Sequence, residues 1–224
     1  DGARFNAIAG PQDAAISSAP VSAFGFLGSN PAAIAVQGSQ LAVSEGQGIS
    51  LVGGNITVQG GTLAHATIQP AQLSAPGGQI TLVSVGSPGE ASATGIENQP
   101  LEPFVNGFSR FGTISLSQGT TIDTNATKAG RIIIRGGQFT MDDASLKAIT
   151  GNDHGMVTEG ETVSPAISIT SETIALNNGT LIAADTHGSA PAGDIIFNVS
   201  TLTTEGDATN RLELNPNDPS TIAQ

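Results

Sequence analysis

The chain has no cysteine, tryptophan or tyrosine, and only 12% of its residues are charged. Without cysteine there is no disulfide framework, no thiolate nucleophile and no thiolate metal site. That fits either a reducing compartment or a large exported protein that avoids mispaired thiols. Aromatic residues are limited to 8 Phe, so a core must be assembled from many short β-branched steps rather than from a few large anchors. Basic residues are scarce as well. Seven Lys plus Arg against 19 Asp plus Glu give a net charge of -12, which repels phosphate backbones and anionic lipid alike, so neither nucleic-acid binding nor membrane insertion is expected. No apolar run approaches the roughly 18 residues of a membrane helix. The opening Asp1-Gly2-Ala3-Arg4 has neither an initiating Met nor a signal-peptide pattern, and the chain reads as processed or excised from something longer.

What the sequence has in abundance is turn residues, 29 Gly and 12 Pro in 224 positions, with short apolar alternations between them. Ile34 and Val36, Leu41 and Val43, Ile49 and Leu51, and Ile56 and Val58 each place two apolar residues around one small or polar residue. The same arrangement returns at Ile80 and Leu82, Ile114 and Leu116, Ile132 and Ile134, Phe139 and Met141, Ile167 and Ile169, Ile174 and Leu176, and Ile195 and Phe197. Period two puts each pair on one face of a short strand, and no stretch has the 3.6-residue period of an amphipathic helix. Gly-Gly followed by a polar residue punctuates the strands at Gly53-Gly54-Asn55, Gly60-Gly61-Thr62, Gly77-Gly78-Gln79 and Gly136-Gly137-Gln138. Glycine supplies the positive-φ corners that close turns require.

Ile114 to Ile132 and Ile174 to Ile195 are separations of about 20 residues, the length of one solenoid repeat. The expectation is an all-β chain folded as a right-handed parallel β-helix, with a β-sandwich as the alternative. Residues 1–33 read as an irregular entry or packing flap, 34–85 as rungs, and 112–224 as further rungs. Between them, residues 86–111 hold Pro88, Pro100, Pro103 and the cluster Phe104, Phe108 and Phe111. Such a stretch cannot propagate a regular ladder, so it reads as an excursion whose aromatics fold back onto a flank. Loops on rigid scaffolds often carry binding, which makes Phe104, Phe108, Arg110 and Phe111 the candidate partner-binding residues.

Several segments resemble one family. Phe24-Gly25-Phe26-Leu27-Gly28-Ser29-Asn30-Pro31, Ile34-Ala35-Val36-Gln37-Gly38-Ser39 and Leu51-Val52-Gly53-Gly54-Asn55-Ile56 resemble filamentous haemagglutinin-type exoproteins of two-partner secretion. Ser74-Ala75-Pro76-Gly77-Gly78-Gln79-Ile80 and Gly130-Arg131-Ile132-Ile133-Ile134-Arg135-Gly136-Gly137 look like the same family, and the resemblance weakens beyond residue 145. It implies a β-helical rod exported through an outer-membrane partner and displayed or released at the surface of a Gram-negative-type bacterium. There it would act in adhesion to host or neighbouring cells. The family's secretion domain carries two Asn-Pro-Asn motifs near its start, which Asn30-Pro31-Ala32 does not match. The segment is therefore expected at the end of that domain or just after it, and no transporter-recognition residue is carried over.

Parallel β-helices also serve as glycan-cleaving enzymes, which need clustered carboxylates on one sheet face. The candidates are Asp142 with Asp143, Asp153 with His154, and Asp185 with His187 and Asp194. The first pair reads as a solvated corner and the others as surface groups, so no enzyme is expected and no catalytic residue is assigned. His65 reads as an ordinary partly buried imidazole. Calcium could bind acidic corners, but the Gly-Gly-x-Gly-x-Asp repeat of calcium-binding β-rolls is absent, so no cofactor is assigned. Arg131 and Arg135, projecting on the same side as Ile133, form the most basic surface of an acidic chain; they pair with acids on the next rung or contact an acidic glycan. Self-association through uncapped ends is the remaining expectation.

Overall fold

The computed structural model describes residues 23–63, 67–92, 105–151, 166–187, 192–206 and 211–213. It is a parallel β-helix whose rungs each run through three sheet faces. The first face carries β2 (Ile34–Gln37), β5 (Ile56–Gln59) and the N-terminal halves of β12 (Thr113–Asp123) and β14 (Gln138–Thr150), then the C-terminal halves of β15 (Ile167–Asn177) and β17 (Ile195–Glu205). The second carries β3 (Gln40–Ala42), β8 (Gln72–Ser74), the remainder of β12 and β14, β16 (Leu181–Thr186) and β18 (Arg211–Glu213). The third carries β4 (Ile49–Gly53), β9 (Gln79–Ser84), β13 (Arg131–Arg135) and the N-terminal halves of β15 and β17. All of these pairings are parallel.

The alternating apolar pairs stack in register. On the first face Ile34, Ile56, Ile114, Phe139, Ile174 and Leu202 form one column. On the third, Ile49, Ile80, Ile132, Ile167 and Ile195 form another, with Leu51, Leu82, Ile134, Ile169 and Phe197 beside it. The middle of every column is fully buried, whereas Leu41 at one end and Leu202, 47% exposed, at the other are not. Each rung thus buries its apolar side only against its neighbours, as a solenoid requires.

Three expectations need correction. The separations Ile114 to Ile132 and Ile174 to Ile195 are not repeat lengths, because each joins the first face to the third within one rung. The true partners of Ile114 are Ile56 and Phe139. The strands are not uniformly short either: β12, β14, β15 and β17 pass round a corner without breaking. At the first-to-second corner the backbone turns through left-handed residues, Gln118 (φ 57°) with Gly119, Asp143 (φ 52°), and Asn178 (φ 42°) with Gly179. Finally, Gly60-Gly61-Thr62 opens an antiparallel hairpin, β6 (Gly61–Thr62) with β7 (Ile68–Gln69), inside the stretch read as plain rungs.

Left-handed backbone costs a residue with a Cβ roughly 1–2 kcal/mol. Asp143→Gly is therefore expected to raise stability by up to about 1 kcal/mol, and Asp143→Val to lower it by about 1–2 kcal/mol. Urea unfolding of the two variants checks the sign.

Candidate functional site

The excursion is a flap held outside the third face. It consists of β10 (Gly89–Ser92) flanked by β1 (Ala23–Phe26) and β11 (Val105–Asn106), all antiparallel. Its neck is stapled where it leaves and rejoins the rungs. Val85 bridges Phe111, the Gly86 N–H donates to the Arg110 carbonyl at 2.9 Å, and the Arg110 Nη2 donates to the Gly86 carbonyl at 2.9 Å. The Ser87 hydroxyl, almost fully buried, accepts the backbone N–H groups of Ser109 and Arg110.

Under the flap, the outward side of the third face is apolar where a solvated strand would be polar. Val83 and Val85 are buried there, with Val52, Val105, Phe26 and Phe108 packed against them. The rings form a chain, Phe26 to Phe108 at 5.9 Å between centroids and Phe108 to Phe111 at 6.1 Å, both tilted. Tilted aromatic pairs at such distances contribute about 0.5–1.5 kcal/mol each beyond their buried area. A Cβ on Gly89 would meet the Phe108 ring at 2.5 Å, so only glycine lets β10 lie flat on it. Gly89→Ala is expected to loosen the flap while sparing the rungs. Limited proteolysis should cut within residues 86–111 at least several-fold faster, and a cut rate equal to that of the unaltered chain would show that the ring is not clamped.

The sequence candidates separate clearly against this geometry. Phe108 and Phe111 lie within the ring chain, and Arg110 closes the neck with its side chain. Phe104 lies outside the described residues, as do His65, Asp153 and His154. Arg135 stacks its guanidinium over the Phe111 ring at 4.1 Å, a contact worth roughly 0.5–1 kcal/mol when exposed. Arg131 is half-buried, and loss of solvent lowers its pKa from the usual guanidinium value. The residues aligned with the two arginines on adjacent strands are Gln79, Val83 and Thr170, so the register sets no acid directly opposite them. The most exposed apolar residue of this region is Leu27, at 84%, just after β1.

The acids do not converge. Asp143 is the corner residue itself, and Asp142 accepts a hydrogen bond from Asn178 Nδ2 at 2.8 Å. Asp185 turns its carboxylate onto the Thr186 N–H, while His187 is exposed and donates its backbone N–H to the Thr150 carbonyl. Asp194 offers its main-chain carbonyl to Ala166 and Ile167. Among the described residues no group of three or more His, Asp or Glu side chains is placed to hold a metal ion.

The three outer surfaces differ in how their polar groups are used. On the second face the groups bond along the axis: Asp123 accepts from Gln72 and Ser74 at 3.2 Å each, and Ser145 donates to Thr121 at 3.1 Å. On the first face the outward positions hold Thr57, Ser115 and Thr140 in one column and Thr113, Gln138 and Thr173 in the next. These six side chains make no hydrogen bond to a described residue. Neither a family model, nor a curated protein, nor a solved structure matches the chain.

Proposed function

We propose that the chain is a segment of a secreted or cell-surface rod of the filamentous haemagglutinin type, acting in adhesion or surface contact without catalysis. The observation that carries this reading is the uninterrupted stacking of core columns from Ile34 to Leu202, which gives a stiff, axially extended scaffold on which the flap and the outer faces are displayed. The sequence resemblance adds the setting: export through an outer-membrane partner, and contact with a host or neighbouring cell.

Adhesion is tested by coating fluorescent beads with the folded chain and measuring their retention on bacterial and animal cell layers under flow. Retention well above that of beads carrying the heat-unfolded chain is expected; equal retention on every layer would remove the adhesive role.

A second reading, end-to-end assembly into filaments, draws on one further observation: the columns finish at exposed apolar residues, Leu41 at one end and Leu202 at the other. Unpaired rung edges template further strands. Sedimentation that shifts to larger species with concentration favours assembly, and a strict monomer across the accessible range eliminates it.

A further inference from the structure

The geometry points to the outer surface of the first face as a binding surface for an uncharged polysaccharide lying along the rod. The inference rests on the surface-rod reading, since such polymers are met outside the cell, and it gives that reading a ligand class and a location. Each of the other two faces is already engaged. The flap occupies the third where Val52, Val83 and Val85 point outward, and the second binds its own hydroxyl, amide and carboxylate groups to one another.

The first face uses few of its groups this way, Asn178 Nδ2 donating to Asp142 and the Thr203 hydroxyl to the Ile174 carbonyl. Thr57, Ser115, Thr140, Thr113, Gln138 and Thr173 make no side-chain hydrogen bond to any described residue, and all are at least partly exposed. Their donors and acceptors therefore point unspent into solvent. Adjacent rungs repeat them at about 4.8 Å along the axis, and positions two apart on a strand lie about 6.6 Å apart. A flat grid of donors and acceptors with a single repeat suits a linear polymer of repeating hydroxyls better than any compact ligand.

Charge narrows the polymer further. The first-face segments of these six strands carry no Lys or Arg, and their acids, Asp142 and Glu205, sit in the edge column with Ser117 and Asn177. An anionic glycan would find no cation there, on a chain of net charge -12. A large apolar partner would find no large apolar side chain pointing outward from these segments. Each hydroxyl contributes little by itself, because it exchanges a bond to water for a bond to sugar. Affinity would come from many rungs engaging one chain at once, so that each contact raises the effective concentration for the next.

The test is co-sedimentation of the chain with particulate cellulose, β-1,3-glucan and starch, with immobilised heparin as the charged comparator. The variants are Ser115→Lys with Thr140→Lys, and the near-isosteric Thr140→Val with Thr57→Val. Circular dichroism checks that each folds, and Lys147→Glu on the second face serves as control. The expected result is retention on at least one neutral glycan that persists in high salt. It should fall tenfold or more in the lysine variant and several-fold in the valine variant, and stay unchanged in the control. No retention on all three neutral glycans, retention on heparin alone, or equal retention of the folded variants would each overturn the inference. Self-association through this face in place of glycan binding would overturn it too. Cell-layer adhesion that survives in the lysine variant would leave the rod reading standing and remove this surface from it.

Discussion

Gly130→Ala is expected to cost roughly 3–5 kcal/mol of folding free energy, at the severe end for a single substitution. A Cβ at Gly130 would run into the Gly78 carbonyl oxygen on the preceding rung, and one at Gly78 into the Gln47 carbonyl before it. Glycines at this corner therefore form an axial column in which backbone rests directly on backbone. The carbonyl cannot swing aside, because it accepts the Arg131 N–H at 2.8 Å. Gly46 separates the causes: its φ is +76°, yet a Cβ there would meet nothing within 4 Å, so Gly46→Ala should cost only about 1 kcal/mol. Urea unfolding of both variants decides between them. If Gly130→Ala costs no more than Gly46→Ala, the close approach of rungs at this corner is wrong.

The second large effect is expected at Phe139, which is fully buried between Ile114 and Ile174 in the first-face column. Phe139→Ala removes a whole phenyl ring from a site walled by strands on both sides that cannot collapse into the gap. The cost should be roughly 3–5 kcal/mol. Leu202→Ala, at the exposed end of the same column, should cost under about 1 kcal/mol. Because rungs contact only their neighbours, Phe139→Ala should also broaden or split the unfolding transition, with the flanking rungs melting apart. Calorimetry reads both quantities, and equal losses at the two positions would contradict a core continuous through Phe139.

The columns were legible because period two is a local signal and the fold repeats it. Ile80 and Leu82, or Ile132 and Ile134, declare one buried side whatever lies next to them, and stacking follows from the need to cover that side. Corner identity was not legible. Gly53-Gly54 and Gly136-Gly137 end the third face, Gly77-Gly78 leads into it, and Gly60-Gly61 opens a hairpin. One dipeptide does three jobs, because what distinguishes them is the rung above, which no local window contains. Asp143 fills a left-handed position taken elsewhere by an amide residue followed by glycine, so even the corner residue type varies. Of the excursion's aromatics, Phe104 lies outside the described residues, and Phe108 and Phe111 fold back onto a flank as the sequence suggested. Their packing beneath the flap depends on Val52, Val83 and Val85 pointing outward from distant strands, a non-local fact. The charge-poor first face was open to sequence reading only once register had told which alternate residues share a column.

The stapled neck of the flap has a consequence for how such a rod can change over time. The chain leaves the rungs at Val85 and returns at Phe111, directly opposite, so the positions of β9 and β12 do not depend on what lies between. Doubling the length of a flexible loop costs only about 0.6 kcal/mol in closure entropy, while a one-residue slip within a strand would turn every core side chain outward. Sequence between Ser92 and Val105, beyond the staple and the strands that cover Val83 and Val85, can therefore be exchanged or lengthened by selection with little effect on the axis. The rod behaves as a rack with an interchangeable slot, and its diversity among descendants should collect at that slot rather than along its columns.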